Sequence, residues 1–266
     1  MVRRLQAFEF EDLPWLPGMV RDLMTDYLAA AVELLDLFSP ACGILIDVLE
    51  RSGCQRIVDL ACGSGKVWRT LGPKLRESFP QLRVTLADAY PNLAAMEEVV
   101  SGNPRMLALE KEPVDARRVP AELEGLRTLF LAFHHFPPSA AQAILANAVE
   151  RGQPIAIFEG QRRDLRHLIQ FALSPIGVFL LTPWIRPFRW ERLVFTYLLP
   201  IVPLLVGWDG VVSVLRTYSR DEMRALISRA DPNLTFVWDV GELASGKGIV
   251  PYAYGLPRQG RSSGQA

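Results

Sequence analysis

The sequence has no excess of charge of either sign. Its 266 residues include 29 lysines and arginines and 29 aspartates and glutamates, so the formal net charge is zero. Proteins that bind nucleic acid depend largely on positive charge, which neutralises the phosphates. The composition therefore predicts no nucleic-acid partner, although a local basic patch can exist in a neutral protein.

Cysteine is scarce as well. Cys42, Cys54 and Cys62 are odd in number, and no two of them are closely spaced. Disulfide frameworks and structural zinc sites need paired cysteines, often at short spacing. We therefore expect no disulfides, no bound metal and a cytoplasmic protein. The first ten residues contain charged side chains and no apolar run, which predicts no signal peptide.

One stretch predicts a strand, a tight turn and a helix in direct succession. Residues 56–60 are rich in β-branched side chains, residues 61–65 are small, and residues 66–79 are amphipathic at helical spacing. Small residues let a backbone approach a ligand closely, and the start of a helix presents N–H groups without intrahelical partners. The stretch therefore predicts a site for a nucleotide-like ligand.

The residues around this turn favour one class of nucleotide. Trp68 occupies the place of the third glycine in the dinucleotide-binding fingerprint, and Asp59 would put an anion beside phosphates. An acid there suits a cationic ligand better, such as an amino group beside a sulfonium. The motif resembles that of class I S-adenosylmethionine (SAM)-dependent methyltransferases, acid-x-Gly-x-Gly-x-Gly. Ala61 replaces its first glycine, so we expect the turn there to avoid strongly positive φ.

The resemblance implies that SAM is the cofactor and S-adenosylhomocysteine (SAH) the product. By this resemblance Asp59 would lie near the amino acid end of SAM. The residues that would form the cradle of the cofactor are Ala61, Cys62, Gly63 and Gly65.

Acids also follow the second and third predicted strands. Residues 82–87 form an apolar strand before Asp88, whose two carboxylate oxygens could accept bonds from both ribose hydroxyls. Residues 106–109 form a weaker strand before Asp115, which resembles the position that contacts adenine in the family. Either acid could instead begin a turn or cap a helix. The resemblance adds three neighbours to the cofactor site: Ala89, Ala116 and Phe133.

Two of the three histidines follow the fourth predicted strand. Residues 127–132 form an apolar run before His134 and His135, and a fifth strand, 154–158, ends at Glu159. Ligands of parallel α/β sheets bind beyond the carboxyl ends of the strands. An imidazole there could act as a general base, and either histidine could face the pocket. Glu159 would orient the base or the acceptor, or would cap the next helix.

The same motif argues against one class of acceptor. Methyltransferases that act on the amino groups of adenine or glutamine carry Asn or Asp followed by Pro-Pro-aromatic at this strand end. Here Ala132-Phe133-His134 occupies the place, and the Pro-Pro pair comes later. Nucleic-acid and glutamine N-methylation are therefore not expected.

Two helices are predicted before the first strand. Apolar residues recur at helical spacing over residues 20–38, and a second helix over residues 40–53 ends at a glycine. In small-molecule methyltransferases such a helical pair often covers the cofactor or the acceptor. The resemblance makes Trp15, Arg21 and Tyr27 pocket candidates, although each could instead serve packing or a surface ion pair.

The segment after the fifth strand is unusually apolar. Residues 168–185 and 193–206 contain no charge, and between them three arginines lie among Trp184, Phe188 and Trp190. A spanning helix needs roughly 20 apolar residues, but prolines interrupt both stretches. Three interpretations are open: a lid that buries an apolar pocket, a lid that docks on a membrane surface through residues 168–206, or a membrane hairpin. The first two imply a hydrophobic acceptor, with Trp184 as a further pocket candidate.

Together these features predict an α/β fold with a seven-stranded, mostly parallel, doubly wound sheet. We expect an N-terminal helical cap (1–54), a SAM-binding core (55–160), an apolar helical insertion (161–210), a C-terminal completion of the sheet (211–256) and a disordered tail (257–266). Residues 208–210 are predicted to form a turn. The expected function is SAM-dependent methylation of a small aromatic, terpenoid or lipid-like acceptor. The alternative is a pericyclase-like scaffold or a regulator that binds SAM or SAH without methylating. Peripheral contact with a membrane is a further interpretation that stays open.

Overall fold

The computed structural model describes residues 3–245 and 248–258. Its strands are β1 (Arg56–Leu60), β2 (Arg83–Ala87), β3 (Leu107–Leu109), β4 (Leu126–Phe130), β5 (Ile155–Phe158), β6 (Phe236–Ser245) and β7 (Gly248–Pro257). They form one sheet in the order β3-β2-β1-β4-β5-β7-β6. β7 pairs antiparallel with β5 and β6, and the other pairs are parallel. The predicted seven-stranded, mostly parallel sheet is confirmed.

The described residues also form α-helices before, between and after the parallel strands. They are α1 (Gly18–Leu35), α2 (Ala41–Ser52), α3 (Trp68–Ser78), α4 (Leu93–Gly102), α5 (Pro138–Glu150), α6 (Leu165–Ala172), α7 (Ser174–Leu181), α8 (Trp190–Leu193), α9 (Ile201–Arg216) and α10 (Arg220–Ala230). Short 3-10 turns lie at Phe10–Asp12, Phe133–His135 and Thr182–Trp184, and a π-helical turn lies at Val194–Leu198.

Two apolar layers cover the two faces of the sheet. The layer on one face joins the strands to α2, α3 and α4 through residues such as Leu45, Leu71 and Met96. The layer on the other face joins them to α5 and α10 through Ile144 and Leu226. Strands buried on both faces read as near-continuous apolar runs, which is why the sequence revealed β4 and β5 so clearly. The arrangement is doubly wound, and it leaves the carboxyl ends of the parallel strands at one edge.

The stretch that was predicted to return to the sheet after the insertion is helical instead. Residues 208–210 lie inside α9, so the predicted turn there is wrong. A Cβ on Gly207 would lie 2.8 Å from Cγ of Pro175, and a Cβ on Gly210 would lie 2.8 Å from Cδ1 of Phe171. The two glycines therefore let α9 pack closely against α6 and α7. This packing outweighs the local propensity for a turn and a strand.

The ends of other helices follow local signals more closely. α2 ends at Gly53, which adopts a left-handed conformation with φ of 69°. Ser219 and Glu222 form a capping box at the start of α10. α5 begins at Pro138. Proline suits the first turn of a helix because its missing N–H would have had no partner there.

Two of the predicted segment boundaries do not coincide with the ends of helices or strands. The boundary between residues 210 and 211 falls within α9, because that helix continues to Arg216. Of the tail predicted to be disordered, Pro257 is the last residue of β7, and the N–H of Arg258 donates to the carbonyl of Thr235. The rest of that tail, residues 259–266, lies outside the described residues.

The close packing of α9 on α7 predicts opposite effects for two glycine substitutions. Gly207→Ala should destabilise the protein by about 1–3 kcal/mol, because the added methyl group would collide with the ring of Pro175. Gly43→Ala in α2 is the matched control, since no atom lies within 4 Å of its Cβ position. Helix propensity should make that variant more stable by up to about 1 kcal/mol. Chemical denaturation measures both, and equal stabilisation would contradict the close helix contact.

Candidate active site

The small-residue turn after β1 uses left-handed backbone at three positions. Ala61, Gly63 and Gly65 have φ values of 50°, 55° and 68°. The expectation that Ala61 avoids positive φ is therefore wrong; alanine accepts the conformation at a cost of roughly 1–2 kcal/mol. Gly65 has a second reason to be glycine, because a Cβ there would lie 2.6 Å from Cδ1 of Leu86. No atom lies within 4 Å of the Cβ position of Gly63, so there is space beside the turn at this residue.

Asp59 lies beneath the turn instead of facing a ligand. Its side chain is buried, with 1% of the residue exposed. Nε1 of Trp68 donates to Oδ2 at 2.7 Å, and Oγ1 of Thr128 donates to Oδ1 at 2.7 Å. Burial raises the pKa of Asp59 to about 7, against the opposing effect of these two hydrogen bonds. Both oxygens of Asp59 are thus bonded within the protein, and its place near the amino acid end of SAM stays a prediction.

The bond to Asp59 also explains the tryptophan that replaces the third glycine of the motif. Trp68 is the first residue of α3, and its ring is fully buried with an edge against Phe130, 5.9 Å between ring centroids. The ring fills the space between the turn and the sheet, where the dinucleotide fingerprint uses glycine for close packing. The helix consequently begins at residue 68, later than the sequence suggested.

Asp88 ties the turn to the end of β2. Its Oδ2 accepts from the N–H of Gly63 at 2.9 Å, and its Oδ1 accepts from the N–H of Tyr90 at 2.9 Å. The residue is half-buried, and each carboxylate oxygen keeps a lone pair for a further donor. Ala89, which follows it, is half-buried as well. This placement fits a carboxylate that holds the two hydroxyls of a ribose beside the turn.

Asp115 lies on the next loop of the same edge. The N–H of Val114 donates to the carbonyl of Asp88 at 2.8 Å, which brings this loop to the turn, and Ala116 is buried. Both oxygens of Asp115 bind the guanidinium of Arg117, and this hydrogen bonding lowers the pKa of Asp115. Exposed ion pairs contribute little stability, about 0–1 kcal/mol, so the pair can open to an adenine amino group.

His134 and Glu159 form a buried pair at the ends of β4 and β5. Nδ1 of His134 lies 2.8 Å from Oε2 of Glu159, and the backbone N–H of His134 donates to Oε1 at 2.8 Å. Nε2 of Gln161 lies 3.3 Å from the same Nδ1 and donates to Oγ1 of Thr217. Phe133, next in the chain, is fully buried. Glu159 thus orients His134, one of the two alternatives that the sequence left open, and does not cap a helix.

His135 faces a different set of acids. Its Nδ1 lies 3.0 Å from Oδ1 of Asp12 and 3.5 Å from Oε2 of Glu9, both in the N-terminal segment. Burial lowers the pKa of His135, but the hydrogen bond to Asp12 and the charge of Glu9 raise it overall to about 9. A histidine that is protonated at neutral pH cannot accept a proton. The two neighbouring histidines therefore face different partners, and His135 is less suited to act as a base.

Glu9, His134 and His135 also bring their ligand atoms within 4.8 Å of one another, close enough to hold a metal ion. The surrounding charges argue against one. Nη1 of Arg216 lies 2.9 Å from Oε1 of Glu9 and 2.7 Å from Oδ2 of Asp12, so a cation already neutralises these acids. His135 would also have to lose its proton to bind. The arrangement favours a cluster of ion pairs over a metal site.

A cluster of charges that the sequence did not reveal joins three parts of the molecule. Asp26, buried on α1, binds Nζ of Lys66 at 2.8 Å and Nη2 of Arg192 at 2.7 Å. Lys66 directly follows the small-residue turn, and Arg192 belongs to the insertion. Nδ2 of Asn92 donates to Oδ1 of Asp22 on the same helix, one loop away from Asp88. α1 therefore lies across the carboxyl ends of β1 and β2. An acid among apolar positions of α1 was the only sequence signal for this cluster.

The four predicted pocket residues do not come together. Trp15 and Trp184 lie at the outer surface, 67% and 77% exposed. Arg21 donates to the carbonyls of residues 11 and 13 and so holds the N-terminal segment. Tyr27 is buried between α1 and α7, with its hydroxyl 3.4 Å from the carbonyl of Ser174.

A small cavity lies beside Glu159. Its volume is about 30 Å³, and Phe133, Glu159 and Tyr218 lie in its wall. This is room for about one water molecule. A cavity of this size is too small to hold an aromatic, terpenoid or lipid-like acceptor.

The buried carboxyl of Asp59 predicts a pH dependence of stability. Its pKa rises from the ordinary 3.8 to about 7 in the folded protein, so the folded state binds more protons than the unfolded state between these values. The free energy of unfolding should consequently fall as pH rises from about 4 to about 7. Asp59→Asn keeps one acceptor for Trp68 and one donor for Thr128, and it should remove this part of the slope. Denaturation at several pH values measures the difference, and identical slopes for the two proteins would contradict the assignment.

Comparisons with known proteins agree with this geometry at the level of the fold. No family model and no curated protein matches the sequence. An O-methyltransferase family protein from Burkholderia thailandensis matches with a TM-score of 0.51 and 14% identity, over 88% of this chain and 59% of that chain. This chain thus spans about three fifths of that protein.

Two plantazolicin methyltransferases, both solved with SAH and a desmethylPZN analog, match over almost their whole length. BpumL has a TM-score of 0.51 and 9% identity, over 91% of this chain and 100% of its own. BamL has a TM-score of 0.50 and 11% identity, over 91% of this chain and 98% of its own. The strand order, the turn after β1 and these likenesses show that the chain has the Rossmann-like fold of class I SAM-dependent methyltransferases.

Proposed function

We propose that the protein is a SAM-dependent methyltransferase of a small, hydrophobic acceptor. The observation that carries the proposal is the contact between the small-residue turn and Asp88, beside the His134–Glu159 pair at the same sheet edge. A nucleoside-binding carboxylate and an oriented imidazole lie where ligands of parallel α/β sheets bind. The SAH found in the two plantazolicin methyltransferases of the same fold supports the choice of cofactor.

The residues at the edge fit the three parts of SAM. Asp88 offers two acceptor oxygens for the ribose hydroxyls, and the open side of Gly63 leaves space for the sulfur end. Asp115 and Ala116 lie on the loop for the adenine, and Lys66 supplies a positive charge near the turn. When bound, SAM supplies an electrophilic methyl group on a sulfonium.

His134 is suited to remove the proton that an acceptor hydroxyl or amine loses on methylation. Because Nδ1 points to Glu159, the other ring nitrogen, Nε2, is free of that bond and can take the proton. The Glu159 carboxylate then stabilises the imidazolium by its charge, and its second bond to the His134 backbone fixes the ring position. Methyl transfer depends above all on alignment of donor and acceptor, and a base adds to the rate only where the acceptor carries a proton.

The hydrophobic character of the acceptor rests on what covers the site. The apolar helices α7 and α9 pack on α1 around Tyr27, Val178 and Val206, so a molecule that entered between them would contact apolar side chains. Such a cover excludes water from the reacting groups and favours a lipophilic molecule. An aromatic, terpenoid or lipid-like acceptor would suit it.

Substitution of Asp88 tests the proposed cofactor binding. Asp88→Ala should weaken SAH binding by at least about tenfold, because it removes hydrogen bonds to a charged group that are worth roughly 1.5–3 kcal/mol. Asp221→Ala, an exposed acid in the first turn of α10, is the control and should bind normally. Isothermal titration calorimetry measures both. Unchanged affinity in Asp88→Ala would refute the placement of the ribose.

The base is tested by release of SAH in the presence of panels of aromatic, terpenoid and lipid acceptors. His134→Gln and Glu159→Gln should each lower kcat by roughly 10²-fold for a protic acceptor and leave SAH affinity unchanged. His167→Gln is the control. His167 is the third histidine, it lies on α6, and its ring is bonded to Asp164. Turnover of both variants at the wild-type rate would remove His134 from the mechanism. Tight SAM binding without turnover of any acceptor would favour a non-methylating role.

A further inference from the structure

Large apolar side chains are exposed mainly on the insertion. Of the 26 exposed large hydrophobic residues in the described part of the chain, 16 lie between Leu165 and Trp208. Single exposed residues of this kind are normal on soluble proteins, but contiguous sets mark interaction surfaces. The insertion is therefore an unpartnered apolar surface, and its chemistry indicates what covers it.

The exposed residues of α6 and α7 recur at helical spacing. They form an outward stripe, which consists of Leu165, Ile169, Leu173, Ile176, Leu180 and Trp184. The stretch Leu165–Trp184 has a mean hydropathy of 1.4, yet only 17% of it is buried. A core helix of similar composition would be mostly buried. The stripe thus faces away from the protein although it is as apolar as a core.

Aromatic and basic side chains lie at the end of this stripe. Trp184 and Trp190 are 77% and 72% exposed, and Phe188 packs edge-on against Trp190 with 5.2 Å between ring centroids. Arg186 is exposed beside them, and the side chain of Arg189 is 39% exposed. These five residues form an aromatic-basic belt. Tryptophan and arginine together are typical of the boundary between lipid head groups and acyl chains, where arginine binds anionic phosphates.

The insertion does not have the shape of a spanning hairpin. Trp190–Leu198 and Ile201–Arg216 meet at an angle of 77°. Asp209 on α9 accepts from the backbone N–H groups of Phe10 and Glu11, and Arg216 binds Glu9. These bonds hold α9 to the body of the protein, so that helix cannot enter a bilayer along its length. The outward stripe lies outside these bonds, and in the belt Nε of Arg189 lies 3.9 Å from Oδ2 of Asp26.

We propose that the outward stripe and the aromatic-basic belt dock the protein on the surface of a bilayer that contains anionic lipids. The stripe inserts among the acyl chains, and Arg186 and Arg189 contact the phosphates. A second copy of the chain fits this surface less well. Twofold pairing would bring the arginines of two belts together, with Glu191 as the one exposed acid among residues 184–192 to offset them.

Docking would also affect how the acceptor reaches the site. This consequence, unlike the docking, rests on the proposed methyl transfer. Arg192 and Tyr27 connect the insertion to α1, and Asp26 connects α1 to Lys66 beside the cofactor turn. These contacts hold the insertion against α1, so a lipophilic acceptor from the bilayer would reach the sheet edge along this route only when they open. The docking itself requires neither SAM nor turnover.

Co-sedimentation with vesicles tests the proposal on the full chain. We expect the protein to sediment with vesicles of phosphatidylcholine and phosphatidylglycerol, and less with phosphatidylcholine alone. Trp184→Ala with Trp190→Ala should lower the partition coefficient by at least about tenfold, because each indole carries a large apolar area. Arg186→Gln should reduce binding to the anionic vesicles only. Both sites are exposed, so circular dichroism and SAH affinity should not change.

Two control variants remove similar side chains elsewhere on the surface. Tyr90→Ala removes a 92% exposed aromatic ring, and Arg105→Gln removes an exposed positive charge; neither should alter vesicle binding. The proposal is overturned if the wild-type protein stays in the supernatant with both kinds of vesicle. A dimer in sedimentation velocity that the tryptophan variant dissociates, without vesicle binding, would assign the surface to a second copy instead. Retention on vesicles after alkaline carbonate would show integral insertion and also overturn surface docking.

Discussion

The geometry of the small-residue turn depends on the hydrogen bonds of the buried Asp59 carboxyl. It joins β1 to α3 through Trp68 and to β4 through Thr128, and neither donor has another described acceptor. Leaving a buried donor without a partner costs roughly 1–3 kcal/mol, so these three elements are held in one arrangement. Because Trp68 must reach Asp59, α3 starts at that residue. The chain between Ala61 and Lys66 forms the turn between these elements, with left-handed backbone at three residues.

A second set of charges determines what lies over that space. Asp26 holds Lys66 and Arg192, and Arg216 holds Glu9 and Asp12, so the cap, the turn and the insertion are joined by buried ion pairs. Buried pairs add little net stability, because desolvation offsets their attraction, but loss of one partner costs about 3–5 kcal/mol. They are therefore suited to fix relative position.

Local patterns in the sequence were enough to predict which residues lie at the carboxyl edge of the sheet. The strand ends at Asp59, Asp88 and Glu159 could be placed because each follows an apolar run, and parallel strands bring their ends together. What each acid contacts could not be placed. Nothing local distinguishes Asp59, which a tryptophan nine residues later buries, from Asp88, which remains half-exposed. Likewise the two adjacent histidines differ only through partners 25 and 123 residues away, Glu159 and Asp12.

Local patterns could not assign the insertion, because α6 and the chain after α7 turn apolar side chains outward while α7 and α9 also bury Val178 and Val206 against α1. Toward α9 and the π-helical turn, α6 and the chain after α7 bury His167, bonded to Asp164, and Thr182, 3.3 Å from Thr196. Away from the protein they present leucine, isoleucine and tryptophan. A helix in a soluble protein does the opposite, since apolar burial is the main driving force of folding. Hydropathy registers only the total, and so it could not separate a lid from a membrane segment. The structure shows hydrogen-bonded polar groups inside and exposed apolar groups outside, an arrangement that suits the proposed lipid neighbour.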